Sequence, residues 1–484
     1  MQSEEQFATS LQENSSIQSS LTQKKPVSLV DKDKLDPSLR AFYKKYGDVD
    51  VEFIDPPVQS PWFSKPYALN YFHKGKLFRT RGLQRSAGKL ELFLDLVYVG
   101  IASTLASTAL KEPTGASFLK FVLLYMPAIT IWSDLKDFMN YYYNDDLIQK
   151  IYVCWTELLL IVYDNNCEFA DTSTKALRTA VVAYFLSRFT LAIMLLFYSF
   201  YIKQHRIQMR LYCLSLAITS SCWFFIFLIN DTKGKCIFAG LMYILEHSQF
   251  LLNVNPWFIK KLGLEYTSAL NIEHEDARYQ GFYIIAIGQF LTTTVMKNPL
   301  STGWNPKLHK GFSLLFDAFV FLGLYSNKDG CITAVHALRR NATTGALYIY
   351  THIVLIASML LSGNAGITLA SEITTDYLDP SKRGVLIYFH AGILAALGSL
   401  TLLSLLDKDL DEPGHHKVNR IIRISGRIPT GLIMLGITWA DQLLTIKSIM
   451  WLDCLFLMLL FIYEFLVMNS FEFHNIRASK SQEV

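Results

Sequence analysis

Two carboxylates one helical turn apart, Glu91 and Asp95, open the run GKLELFLDLVYVGIASTLASTAL, which is otherwise long and apolar enough to cross a bilayer. Their i, i+4 spacing puts both acids on one helix face, with Tyr98 and Ala102 continuing it. Two like charges so close and partly desolvated cannot both ionise easily unless a cation intervenes, so the pair has the chemistry to carry a proton or hold a cation. The bland alternative leaves Glu91 at the basic boundary, reaching water, with only Asp95 inside and held by hydrogen bonds.

Ionisable residues inside spans are costly and face a bundle interior or a wet cavity. Besides Glu91 and Asp95, they are Asp134, Glu157, Arg188, Glu246, His247, Asp317, His352 and Glu464. Arg188 sits midway through a long apolar run, so a carboxylate from another span must reach it; Asp95 and Glu157 are the candidates, and a purely structural pair fixing helix register is the alternative. His352 is a lone histidine in an apolar run, a pattern more common for a satisfied core residue than for a ligand. Gly100, Ala102, Ser103, Ala106 and Ser107 form a small-residue stripe suited to close helix packing, and Gly363 with Gly366 could break the end of their span.

No Walker A, GxGxxG, HExxH or GxSxG pattern occurs, so an enzyme is not expected; a lipid-acting one would have only Glu246 and His247 as adjacent acid/base candidates. The HH at His415 and His416 falls in a charged loop and reads as solvated. Seven cysteines without a CxxC argue against a metal site or disulfide framework, although Cys167 and Cys236 could pair. No cofactor is expected.

The elements that must carry these groups are membrane helices. A chain of 484 residues with 51% hydrophobic and 14% aromatic residues is too apolar for a soluble surface, and a net charge of +4 gives no argument for nucleic acid. The pattern predicts an all-α, polytopic integral membrane protein of about twelve transmembrane helices, near 90–110, 117–135, 148–166, 177–201, 208–230, 235–254, 280–297, 309–326, 344–364, 384–406, 426–445 and 449–469. Residues 1–60 read as a disordered polar cytoplasmic tail, 61–89 as a basic juxtamembrane segment, 90–470 as the membrane domain and 471–484 as a short cytoplasmic tail. Seven Lys/Arg and no Asp/Glu in 56–90 put both termini in the cytoplasm, with Lys233, Lys235, Lys307 and Lys310 as exceptions in loops assigned outside. That orientation places the acceptor pattern at Asn230 outside and the one at Asn341 inside.

Five ordered motifs resemble the low temperature requirement A (LtrA) family over residues 85–470. ELFLDLVYV at 91–99 is similar to the run that opens its first span; WSDLKDFMNYYYNDD at 132–146 supplies Asn140, Asp145 and Asp146; AYFLSR at 183–188 supplies Arg188. NIEHEDARYQGFYIIAIGQ at 271–289 resembles a segment with His274 and Arg278 in matching places, and YIYTHIVLIASMLLSGNAG at 348–366 supplies His352. The N-terminal extension is more like eukaryotic, fungal-type members. Two departures stand out: Ala277 precedes Arg278 where the family has a glutamate, and Gln289 follows Gly288 where it has another, and a glutamine cannot release a proton.

The resemblance implies a helical polytopic protein of a family named for a cold-growth phenotype and grouped remotely with transporters. With the intramembrane acids it leads to an expected polar centre of Glu91, Asp95, Glu157, Arg188, His274, Arg278, Gln289 and His352, serving secondary transport of a small solute or ion in the plasma membrane or an endomembrane. The Glu91/Asp95 face would alternate between occupied and paired with Arg188. The alternative is a non-transporting assembly or structural factor in cold or stress adaptation. The lipid bilayer is the expected surrounding, and self-association is left open.

Overall fold

The structure, a computed structural model, describes residues 51–81, 88–296, 302–331, 334–372, 377–411, 416 and 418–468. The expected tail at 471–484 and residues 1–50 of the N-terminal one lie outside the described residues. Order begins before the expected boundary at 60, because β1 (Val51–Ile54) pairs in parallel with β3 (Lys76–Thr80). Strand β2 (Asn70–His73) forms a hairpin with β3 through Lys74 and Gly75, whose positive φ of 48° and 79° suit the tight two-residue turn such hairpins favour. The basic juxtamembrane segment therefore contributes two strands of a small sheet.

The chain then runs through α1 (Lys89–Ala109), α2 (Gly115–Tyr142), α3 (Leu147–Cys167), α4 (Thr174–Tyr201), α5 (Arg206–Cys222), α6 (Thr232–Val254) and the short α7 (Pro256–Lys261). Strand β4 (Tyr266–Ser268) completes the sheet against β2. There follow α8 (Ile272–Ile287), α9 (Gln289–Met296), α10 (Pro306–Asn327), β5 (Ala334–Val335), α11 (Ala337–Arg340), α12 (Ala342–Ile367) and α13 (Arg383–Leu406). Strand β6 (Lys408–Asp409), which pairs with β5, leads to α14 (Arg420–Ile424), α15 (Arg427–Ile437) and α16 (Ile446–Met468). Side-chain caps define many starts: Thr114 accepts from Ser117 N, Asp146 from Gln149 N, Ser173 from Ala176 N and Asn271 from His274 N.

Nine helices among the described residues are long and apolar enough to cross a membrane: α1, α2, α4, α5 with its 3-10 continuation, α10, α12, α13, the α14–α15 stretch and α16. The spans expected at 148–166, 235–254 and 280–297 coincide with α3, α6 and α8–α9, apart from residue 297, which lies outside the described residues, but they stand outside that group. The last is divided at Gly288 into helices of 16 and 8 residues, each too short alone. Large apolar side chains such as Leu96, Ile193, Leu241 and Phe465 face outward while carboxylates and guanidinia are buried, the reverse of a soluble fold. The molecule is an integral membrane protein.

Helix ends gather at two levels. At one, Ser64 N donates to Asp146 Oδ2 (3.0 Å), Arg79 pairs with Glu273 (2.8 Å), and Arg427 bonds both the Lys328 carbonyl and Glu464. At the other, Lys111 pairs with Glu168 (2.9 Å), Tyr388 donates to the Thr114 carbonyl (2.6 Å), and Arg383 holds Asp441.

Pro127 interrupts α2 and deprives the Leu123 carbonyl of its backbone partner. The Tyr243 hydroxyl donates to that carbonyl at 2.7 Å, and Tyr163 donates to the neighbouring Leu124 carbonyl at 2.8 Å. Contrary to expectation, Gly363 and Gly366 do not break their helix, which continues to Ile367 and then a π turn. They let neighbours approach: a Cβ on Gly363 would meet the Gln289 Cβ at 3.1 Å, and one on Gly366 the Leu314 side chain at 2.7 Å.

Candidate functional site

Helix α1 presents Glu91 and Asp95 to the opening turns of α8. His274 Nε2 donates to Glu91 Oε1 at 2.9 Å, while Glu91 Oε2 accepts from Gly88 N at 2.6 Å and so caps its own helix. Glu91 is 1% exposed, which overturns the reading in which it reaches water. Asp95 Oδ1 accepts from Arg278 Nη2 and from Trp132 Nε1, both at 2.7 Å. Each acid therefore has its own partner, and both partners come from α8, one turn apart as the acids are.

Lys136, from α2, was not anticipated. It is 1% exposed, forms an ion pair with Glu275 of α8, lies 2.9 Å from Asp137 and sits over the Tyr279 ring at 4.8 Å. Asn140, one turn further, donates to Glu275 Oε2 and to the Asn271 carbonyl, each at 3.1 Å, and its own oxygen accepts from Asn271 N at 2.8 Å. These bonds fasten the start of α8 to α2 and fix His274 and Arg278 against α1. The signal for Lys136 was an ionisable residue just past the expected end of the second span at 135; the helix continues to Tyr142.

The structure brings four expected residues together here: Glu91, Asp95, His274 and Arg278. Gln289 lies further along the same face of α1 and accepts from Ser103 at 2.9 Å; Asn364 accepts from Ser107 at 2.8 Å, so the small-residue stripe is also a polar layer. His352 adjoins the centre through its stack on Tyr279 at 4.5 Å. Its nitrogens are engaged, Nδ1 with the Tyr348 carbonyl at 2.9 Å and Nε2 with the Tyr325 hydroxyl at 3.1 Å, which makes it a satisfied core histidine.

Two expected members lie elsewhere. Arg188 pairs with Asp134 at 2.7 Å, not with Asp95 or Glu157, because α2 extends well beyond its apolar stretch and brings Asp134 inside. Glu157 is buried on α3, with Oε1 lacking a hydrogen-bond partner among the described residues. The Glu246 carboxylate is occupied by the Tyr184 hydroxyl (2.6 Å) and Trp223 Nε1 (3.0 Å). Cys167 and Cys236 are free thiols lining one cavity.

Bonding at the centre is unequal. Asp95 Oδ2, the Tyr98 hydroxyl, Arg278 Nε and Arg278 Nη1 are buried without a hydrogen-bond partner among the described residues. Among the described residues, the buried carboxylates Glu91, Asp95 and Glu275 meet the permanent cations Lys136 and Arg278 and the titratable His274, and Asp137 also contacts Lys136. The arrangement can pair charges, exchange a proton or admit one further cation.

A protein-family model described as "Bacterial low temperature requirement A protein (LtrA)" matches residues 86–468. No curated protein and no solved structure is found to match.

Proposed function

The chain belongs to the low temperature requirement A family, and from that premise we propose that it is a secondary transporter of a small solute or ion, with Glu91 and Asp95 as coupling groups. The observation that carries the reading is the incompletely bonded Asp95–Arg278 pair: Asp95 Oδ2 and Arg278 Nε and Nη1 are buried without a hydrogen-bond partner among the described residues. Buried charge with unmet bonding capacity is costly, and a proton, a water molecule or a cation at this pair would relieve that cost. Arrival and departure of a proton or cation would change the Asp95–Arg278 pair, which replaces the expected pairing with Arg188 as the element that alternates. Arg278 Nε and Nη1 and Asp95 Oδ2, without partners among the described residues, are groups a solute or water would meet. Ser103, Ser107, Gln289 and Asn364 extend hydrogen-bonding capacity along the same face.

Twelve crossings with both termini cytoplasmic fit this reading. Both sheet pairings, β2 with β4 and β5 with β6, join loops separated by an even number of expected spans, and those loops carry the basic residues. A plasma membrane or endomembrane of a eukaryote, fungal by the N-terminal extension, is the proposed setting, and no enzymatic step is assigned.

The rival reading, a non-transporting assembly or structural factor, draws support from a sealed centre: Glu91, Asp95, His274, Glu275 and Arg278 are each 0–1% exposed. The test is flux in proteoliposomes containing the purified full-length chain, following internal pH under imposed gradients and a panel of cations. Glu91→Gln, which keeps hydrogen-bonding capacity toward Gly88 and His274, and Asp95→Asn serve as paired controls. Flux in the parent that disappears in either folded variant is expected; no flux under any gradient would overturn transport in favour of the structural reading.

A further inference from the structure

A second polar line runs through the C-terminal half, away from the Glu91 centre. Asp317, midway along α10, is 1% exposed, and neither of its carboxylate oxygens has a hydrogen-bond partner among the described residues. It lies within electrostatic reach of Asp453 on α16, which is itself fully buried with Oδ1 lacking a hydrogen-bond partner among the described residues. Asp453 Oδ2 accepts from His390 Nε2 of α13 at 2.8 Å, and His390 Nδ1 lies 2.7 Å from the Thr438 hydroxyl. Three residues beyond Thr438, Asp441 is held by Arg383, whose side chain is 35% exposed at the rim.

We propose that Asp317 and Asp453 form a proton-binding site, reached from the Asp441 rim through Thr438 and His390. Two buried acids near one another cannot both stay ionised without a counter-charge. On the same helix, Lys307 and His309 are partly exposed in its first turn and the buried Lys310 has its ammonium on the Leu369 carbonyl at 2.8 Å, while Cys454 is a titratable group beside the pair. A metal ion suits the site less well than a proton. Among the described residues the group whose donor atoms gather within 4.8 Å of one another is Cys331, Asp409 and Asp411, not this one. His390 takes a proton on one ring nitrogen and gives one up from the other, so the net change is one proton added to the carboxylate pair. The site stands apart from the transport reading and survives if no flux is found.

Infrared difference spectroscopy on the full-length protein in lipid nanodiscs tests this without any flux measurement. At neutral pH the parent is expected to show a protonated-carboxyl band that disappears in Asp317→Asn or Asp453→Asn, shifts on transfer to D2O, and changes frequency in His390→Gln. Thr438→Val is expected to slow the D2O shift several-fold. Asparagine is near-isosteric and removes the need for a proton, and circular dichroism establishes folding; His390→Gln supplies the assignment independently. A parent spectrum without such a band, or a band indifferent to all three substitutions, would overturn the site, and a band that never responds to D2O would overturn the path.

Discussion

Asp95 is the residue on which the centre turns, since one of its oxygens accepts both from Arg278 and from Trp132 while the other has no hydrogen-bond partner among the described residues. Removing one member of a buried pair typically costs about 3–5 kcal/mol, because the survivor is left charged and dry. Arg278→Gln alone should therefore destabilise the protein on about that scale, and combining it with Asp95→Asn should recover most of the loss. The check is a double-mutant cycle on unfolding in detergent, and additive losses would mean the two side chains do not act as a pair. The sequence already pointed to both residues, to Asp95 as an ionisable group in an apolar run and to Arg278 through the family motif at 271–289. It did not reveal who pairs with whom. Asp134, near the end of its expected span, is the partner of Arg188, and His390 pairs with Asp453 although neither stands in one of the five family motifs.

Individual helices depend on repairs that only tertiary structure reveals. The carbonyl freed by Pro127 is served by Tyr243 from α6, so Tyr243→Phe should cost about 1 kcal/mol, the usual scale for an interhelical hydrogen bond in a membrane protein. Thermal unfolding of the purified variant measures it, and a substitution without effect would mean that the carbonyl finds another donor. The link between α4 and α5 has a different sensitivity. His205 is buried against Tyr142, and desolvation lowers its pKa from the ordinary 6.5 to about 4. A histidine kept neutral when folded contributes stability at high pH and loses it on acidification, because the unfolded chain takes up the proton first. Stability should thus fall between about pH 6.5 and pH 4, by up to about 3 kcal/mol, and flatten below that window. Unfolding midpoints across that range should lose this slope in His205→Gln, whereas an unchanged slope would place the sensitivity in other groups. Helix positions were readable from apolar runs, but helix ends were not. Polar residues such as Lys136 and Asn140 continue α2 past its apolar stretch, and a single position, Gly288, divides the seventh span.

At the scale of the whole molecule, the question is which side each loop occupies, and contacts between loops constrain the answer more tightly than charge does. Lys310, which looked like a misplaced outer-loop charge, is buried with its ammonium on the Leu369 carbonyl and so says nothing about orientation. The two sheets could not be read from hydropathy, since β4 is only three residues long and β5 and β6 two each; yet they tie together distant loops assigned to the same side. They fix relative sidedness and leave the absolute orientation to the basic loops. Glycosylation in a eukaryotic secretory membrane supplies the absolute sign. Asn230 is exposed between the end of α5 and the start of α6, on the side assigned outside, and should be modified. Asn341 is also exposed, but its side chain caps α12 by accepting from Thr344 N at 2.8 Å, and it lies on the side assigned to the cytoplasm, so it should remain bare. A mobility shift abolished by Asn230→Gln and unchanged by Asn341→Gln is the expected result. The opposite pattern would invert the molecule, and with it the side from which the Asp441 rim admits protons.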